Sequence, residues 1–523
     1  MATSLQSAPS LLEALVAAIG PDHVLTDEAE RRFHATDVFN TREIPVAVAR
    51  PGSVAELQAV VGACAAAGSP IAVRGGGASY TDGYLHVRPG GVTIDTGRLK
   101  AIHIDEHNAI VTVEAGVTWA ELYEALKARG LRTPFWGPFS GMAATIGGSM
   151  SQNSISHGNG VSAESLLNLD VITGTGEMLS TGSAGSENSA PYFRHFGPDL
   201  AGLFTGDCGA LGVKARITLK LIKRREMFEA ASFSFSSFDG MHEAMRLIAI
   251  EGVDDENFGP DAALQQGQIG RQDGVAAKAE IAKAVMKSAT SFGSGVKSLA
   301  RMAVAGDREL KAASYAVHYL TDGVDSAEAR AKMAVIKRIG AAHGEEIANT
   351  VPTVVRGMPF APLFNTLGPK GERWVPTHTL LPHDRAKPFH RAISAYFADN
   401  AAVMAAHGIF TGAMFMAVGP SAFVYEPAFY WPDARTIFHD RMVPADHLAG
   451  LPTYPPSSAA RAEIDRMKHD VIELMHAHGG AHLQIGKVYP LLPGRNAASV
   501  TLLRAIKAVL DPQDILSPGS LGL

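Results

Sequence analysis

Three glycine-rich segments supply the first candidate chemistry. The first reads Arg74-Gly75-Gly76-Gly77-Ala78-Ser79-Tyr80, the second runs from Gly137 to Gly160, and the third is Gly206-Asp207-Cys208-Gly209-Ala210-Leu211-Gly212. Glycine lets the main chain approach a ligand closely, and consecutive amide N–H groups form a concave site for an anion. Together the segments point to a phosphate-bearing ligand. Neither standard nucleotide signature is present. No Gly-x-Gly-x-x-Gly follows a strand with an acidic residue about 20 positions on, and no glycine loop ends in Lys-Ser/Thr.

A second group lies near the C-terminus, in Gly479-Gly480-Ala481-His482-Leu483-Gln484-Ile485-Gly486-Lys487-Val488-Tyr489. His482, Gln484, Lys487 and Tyr489 are expected to alternate, or nearly so, on an extended strand. His482 titrates near neutrality and is the candidate acceptor of a substrate hydroxyl proton. Tyr489 is the candidate to orient that hydroxyl. A third stretch, 411–433, crowds Phe415, Phe423, Tyr425, Phe429, Tyr430 and Trp431. It reads either as an aromatic slot for a small ligand, with Tyr425 and Tyr430 as polar tips, or as sheet packing. His378, within Trp374 to Pro382, and the pair Phe135-Trp136 are candidates to face the same cavity, and Arg356 is a candidate carboxylate clamp.

The elements that must position these residues follow from periodicity. Leu11 to Ile19 reads as a short amphipathic helix ending at Gly20-Pro21. Ser53 caps a helix, with Glu56 as its capping-box partner, that stops at Gly68, and Pro70 to Val73 is a buried strand delivering the first glycine loop. Val92/Ile94, Ile102/Ile104 and Val111/Val113 alternate as strands, Thr118 opens a helix, and the third glycine segment runs into a strand from Val213 to Leu221. The texture changes near residue 225. Phe228 to Phe235 alternates like a strand, 240–310 reads as helical, 374–425 mixes both types, and the last stretch, from Ala459, returns to helices.

In these elements the chain resembles the vanillyl-alcohol oxidase / p-cresol methylhydroxylase type of flavoprotein, which includes FAD-linked D-lactate dehydrogenases. The resemblance is carried by Pro51-Gly52-Ser53-Val54-Ala55-Glu56-Leu57, the loop at 74–80, Thr145-Ile146-Gly147-Gly148, the stretch Phe196 to Phe204, Gly209-Ala210-Leu211-Gly212-Val213 and Ile515-Leu516-Ser517-Pro518-Gly519. It covers most of 45–225 and the last 40 or so residues. It implies an α+β fold: a two-subdomain FAD-binding domain of the p-cresol methylhydroxylase type at 1–225, an αβ cap of the FAD-linked oxidase C-terminal type at 226–480, and a segment at 481–523 returning to the FAD domain.

The resemblance also implies roles. Arg74, Gly75, Gly76, Gly77, Ala78, Ser79 and Tyr80 would wrap the FAD diphosphate. Pro138, Gly141, Met142, Thr145, Gly147, Gly148, Ser151 and Asn153 would line the phosphates, ribityl chain and flavin edge. Gly209, Gly212 and Val213 would offer backbone groups to the isoalloxazine and adenine regions, and Lys487 would sit near the flavin N1–C2 locus. Relatives with covalent flavin carry His where this chain has Ala78, so non-covalent FAD is expected. The substrate expected is an aromatic alcohol or 4-alkylphenol. A D-2-hydroxy acid is the alternative, and the non-redox alkyl-glycerone-phosphate synthases are a different class on the same fold. The metal-binding His-x-Gly-Asp-Gly-Asn-x-His of the hydroxy-acid enzymes has no counterpart at Gly408 to Phe415, and the Tyr-Arg of the phenol oxidases is replaced by Lys487-Val488-Tyr489. No metal is expected.

Composition bounds the rest. The 523 residues are 46% hydrophobic and 19% charged, with net charge −6 and no basic block, which argues against a nucleic-acid partner. Cys64 and Cys208 have no zinc spacing and fit a reducing, cytoplasmic setting. No apolar run reaches membrane-spanning length. A homodimer is entertained, and the electron acceptor stays open between oxygen, a cytochrome and a quinone.

Overall fold

The computed structural model describes residues 10–157, 160–265 and 313–523. The expected helix over 240–310 is found from Phe238 to Glu251, followed by a strand, Glu256–Pro260; its remainder from 266 lies outside the described residues.

Two sheets build the N-terminal region. The first has four strands in the order Val24–Leu25, Ala47–Ala49, Val92–Asp95, Ile71–Arg74, the last three mutually parallel. The helix Val54–Ala67 connects Ala47–Ala49 to Ile71–Arg74. Ser53 caps it through the Glu56 amide, while the Glu56 carboxylate accepts from Gly52 N rather than closing the expected box on Ser53. Gly68 ends it in a left-handed conformation. Val54, Leu57, Val60, Val61 and Cys64 form its buried face against Ile71, Val92 and Ile94. The second sheet has five antiparallel strands in the order Ile102–Asp105, Ile110–Glu114, Val213–Lys220, Leu166–Ile172, Met178–Ser180. Its inner strands alternate, and the apolar face, with Val111, Val113, Leu169, Val171, Ile217 and Leu219, packs on Trp119, Leu122, Ile146 and Met150.

An eight-stranded antiparallel sheet follows. Its order is Glu345–Ile347, Met227–Phe235, Tyr315–Gly323, Glu256–Pro260, Phe410–Val418, Ala422–Trp431, Arg373–Pro376, with Thr379–Leu381 also on Ala422–Trp431. Helices Phe238–Glu251, Ser326–His343, His383–Asp399 and Ser458–Ala477 pack on it around one large core. The chain then comes back. Ile71 N donates to Ile515 O and Ser517 N to Ile71 O, so the final segment extends the first sheet beside the glycine loop. Buried Lys507 fastens this return: its ammonium donates to the carbonyls of Ala210 and Leu516 and pairs with Asp511.

Candidate functional site

A long cleft runs between the N-terminal sheets and one face of the eight-stranded sheet. Gly75, Gly76, Gly77, Ala78, Ser79 and Tyr80 line it, as do Pro138, Thr145, Gly147, Gly148 and Ser151 from the second segment and Gly209, Gly212 and Val213 from the third. The first glycine loop is forced by a crossing of main chains. A Cβ on Gly76 would lie 1.6 Å from Ala143 O, and Gly77 sits at φ +71°. None of the backbone amides from Gly75 to Tyr80 donates a hydrogen bond to another described residue. Main-chain N–H groups are almost always paired. Six in a row facing a cleft form a nest suited to a diphosphate, and the adjoining Thr145-capped turn adds the end of a helix, Ile146–Gln152.

Four residues of the glycine segments expected on the cofactor lie elsewhere, as does Lys487, described below. The Arg74 side chain leaves the other face of its strand and is buried between the Phe33 and Tyr84 rings, 4.5 and 5.5 Å from their centroids. Gly141 backs onto the Phe360 ring, Met142 is 51% exposed, and Asn153 caps its helix in a left-handed conformation. None of the four lines the cleft.

The C-terminal cluster forms, but behind the cleft and not on a strand. Gly486 is left-handed against Thr81 O, Gln484 has φ +48°, and Gln484 N donates to Gln152 O at 2.9 Å, so the segment makes an irregular turn. Of its polar members only Gln484 lines the cleft, where its side chain bonds Tyr80. Tyr489 stacks on His482 at 4.3 Å, and its hydroxyl accepts from His378 N and bonds His378 Nδ1. His378 Nε2 donates to Leu483 O, and burial drives its pKa down to about 3, so the ring is neutral. His482 Nδ1 donates to His378 O, and burial lowers its pKa too. These three side chains lock the backbone beside Gln484. The Lys487 ammonium donates to Asp82 O at 3.1 Å, and burial lowers its pKa to about 8. His482, Tyr489, Lys487 and His378 are therefore all set off from the cleft wall.

The aromatic stretch is corrected by strand parity. Phe410–Val418 and Ala422–Trp431 pair with Met414 opposite Glu426 and Met416 opposite Val424. These four residues face the cleft. Side chains alternate across a strand, so Phe415, Phe423 and Tyr425 face the other way, onto Phe238. Tyr425 bonds His390 Nδ1 there, at 2.9 Å. Tyr430 stacks on Phe410 beyond the cleft's end. Trp136 stacks on Tyr123, and Arg356 pairs with Asp322 at 2.6 Å, clamping a protein carboxylate. Trp374 does line the cleft, edge-on to Tyr80 at 5.8 Å.

What sequence reasoning passed over is Glu426. It stands in the apolar wall with Trp374, Met414, Met416 and Val424, and burial raises its pKa to about 7. No ion pair or hydrogen bond to a described residue holds it, and its charge is felt by the Tyr80 hydroxyl. The signal was available: a single carboxylate on the even positions of an otherwise apolar strand. The other charged lining residue, Lys214, is buried and paired with Asp207. Among the described residues, no cluster of three His, Cys, Asp or Glu suits a metal, and no helix is long and apolar enough to cross a membrane.

Comparison with known proteins defines the class. Residues 45–182 match the FAD binding domain model and residues 446–521 match the model of the C-terminal domain of FAD linked oxidases. The chain has an α+β fold, a p-cresol methylhydroxylase-type FAD-binding domain joined to an FAD-oxidase C-terminal domain, and its cofactor is FAD. Among curated proteins it is 32% identical, over 41% of its length, to the mitochondrial D-lactate dehydrogenase [cytochrome] of Arabidopsis thaliana, and the match spans 37% of that relative. The chain spans about half the length, or less, of the curated relatives it matches. Among solved structures, p-cresol methylhydroxylase with substrate bound aligns at TM-score 0.72 and 17% identity over 98% of this chain and 96% of that one. An alkyldihydroxyacetonephosphate synthase aligns at TM-score 0.67 and 15% identity over 98% and 86%.

Proposed function

We propose that the protein removes a hydride from an uncharged aromatic alcohol or 4-alkylphenol, as an enzyme of the vanillyl-alcohol oxidase / p-cresol methylhydroxylase type. The observation that carries this is Glu426, one unpaired carboxyl in an apolar cap wall. FAD held on the Gly75–Tyr80 nest supplies the hydride acceptor. The chain's own part is to bind the diphosphate with backbone donors, to keep water out with Trp374, Met414, Met416 and Val424, and to take the substrate's hydroxyl proton on Glu426. A base whose pKa lies near the working pH combines availability with driving force.

The cleft offers a substrate carboxylate no free cation among the described residues, since Lys214 is neutralised by Asp207. Burying an unpaired charge costs several kcal/mol. The hydroxy-acid reading keeps the support of relatives such as D-2-hydroxyglutarate dehydrogenase, 32% identical over 37% of this chain. A matched pair separates the two. Benzyl alcohol and mandelate share the reacting carbon and differ by one carboxylate. Under anaerobic conditions benzyl alcohol or 4-ethylphenol is expected to bleach the bound flavin and mandelate is not. Bleaching by mandelate or D-lactate alone overturns the reading.

The proposal includes non-covalent FAD. Position 78 is Ala, and among the described residues no histidine side chain lines the cleft. Acid precipitation is expected to leave the yellow flavin in the supernatant. Flavin that stays with the pellet contradicts this.

A further inference from the structure

The cap wall differs on the two sides of Glu426. Along the paired strands Phe410–Val418 and Ala422–Trp431, one face carries Gly412 with Ala428, then Met414 with Glu426, then Met416 with Val424. The first of these pairs is shut. A Cβ on Gly412, on the face of Met414 and Met416, would lie 2.8 Å from Leu264 N and 3.1 Å from Leu264 Cα. The turn at 261–265 therefore covers this pair, and neither Gly412 nor Ala428 lines the cleft. The third pair is open to the cleft. Met416 and Val424 line it, and so do Phe139 and Ile155, which pack on them in one apolar cluster. Phe258, on the strand beside Phe410–Val418, and Leu380, opposite Val424, complete that cluster across the sheet. We infer that Met416 and Val424 are specificity-determining residues: they end a subsite for one aryl ring, whose hydroxyl-bearing carbon lies at Glu426 and whose para edge abuts them.

Strand spacing fits one ring. Residues two apart on an antiparallel strand are about 7 Å apart, the span of a benzene ring with its reacting carbon attached. A hydroxyl held at Glu426 thus leaves the ring over Met414 and its far edge at Met416 and Val424. The other direction along these strands is blocked by the Leu264 main chain. Towards Trp374 the wall meets Tyr80, which ends the glycine nest and belongs to the cofactor side. The four side chains at the closed end, Met416, Val424, Phe139 and Ile155, are apolar, so they favour an unsubstituted ring edge over a polar group. A bulky para group meets Met416 and Val424 directly. The substrate class is therefore narrowed to single-ring benzylic alcohols with a small para substituent or none.

The inference rests on the proposed reaction for the place of the hydroxyl. Its test is a ratio: the second-order rate constant for anaerobic reduction of the bound flavin by benzyl alcohol, over that for 4-tert-butylbenzyl alcohol. Wild type is expected to favour benzyl alcohol. One methylene in an apolar pocket changes such a ratio by about 10- to 200-fold. Val424→Ala and Met416→Ala each remove more than that, so each is expected to move the ratio at least about tenfold towards the larger alcohol. Phe415→Leu loosens the same strand from its other face, where Phe415 packs on Phe238, and is expected to keep the wild-type ratio. The dissociation constants of benzaldehyde and 4-tert-butylbenzaldehyde, read from the flavin absorbance of the oxidised holoenzyme, are expected to shift in the same sense without turnover. Ratios unchanged in the alanine variants, or shifted as far in Phe415→Leu, overturn the subsite. Either alanine variant decides this if the other does not fold. If neither alcohol bleaches wild type but the aldehyde constants still shift, the proposed reaction falls and the aryl subsite stands.

Discussion

Replacing Glu426 by Gln is expected to slow reduction of the bound flavin by about 10²- to 10⁴-fold, the usual worth of a positioned general base. The pH profile carries the same information with its sign. Burial raises the Glu426 pKa from 4.5 to about 7. The carboxylate is the form that accepts a proton, so the wild-type rate should climb about tenfold per pH unit below 7 and level off above it. Glu426→Gln should show no such limb. The fold should not suffer. A group whose pKa is raised on folding contributes stability that is fully present below about pH 4.5 and lost as pH rises through about 7. Glutamine has no charge to desolvate, so above pH 7 the variant should unfold no more readily than wild type. His482→Ala serves as the comparison. His482 donates to His378 O behind the Gln484 backbone, so its loss should slow flavin reduction far less than the loss of Glu426. A His482→Ala rate as low as that of Glu426→Gln would return the base assignment to the histidine.

Gly76→Ala is expected to give a protein that melts well below wild type and purifies without its yellow colour. The added Cβ would sit 1.6 Å from Ala143 O, a backbone atom that cannot rotate away. Either the Gly75–Tyr80 loop or the 138–148 loop must move, and both line the cleft. Overpacking a crossing of two main chains costs roughly 3 kcal/mol or more. Gly62→Ala is the control. Gly62 lies inside the helix Val54–Ala67, and a Cβ there meets nothing within 4 Å. That change should be neutral or stabilising by up to about 1 kcal/mol, as expected for alanine over glycine in a helix. Thermal melts of both proteins, with flavin absorbance before heating, check the pair. A Gly76→Ala protein as stable and as yellow as wild type would mean that the loop has room the crossing denies it.

The parts legible in the sequence are those set by local rules. The capped helix at 53–68, the alternation at Val92 to Val113 and the glycine loops all follow from turn chemistry and period, and the structure has the helix Val54–Ala67, the strands Val92–Asp95 and Ile110–Glu114, and the loops on one cleft. The misplaced site residues needed long-range information. Which parity of Ala422–Trp431 meets the cleft is decided by pairing with Phe410–Val418 and by the helix at Phe238, far away in sequence. A one-residue change of face exchanges Tyr425 for Glu426. Likewise, His482 and Tyr489 look alike as catalytic or packing residues until His378, about a hundred positions upstream, is seen to occupy them. Arg74 adjoins the glycine loop in sequence, but its side chain leaves the other face of the strand.

The most direct test of the account is the single-turnover rate at which benzyl alcohol or 4-ethylphenol reduces the enzyme-bound flavin without oxygen, followed from pH 5 to 9 in wild type and Glu426→Gln. The wild-type rate is expected to rise to a plateau above about pH 7, and the variant to show a slow, pH-independent rate. Equal rates with the same pH limb in both proteins would contradict it.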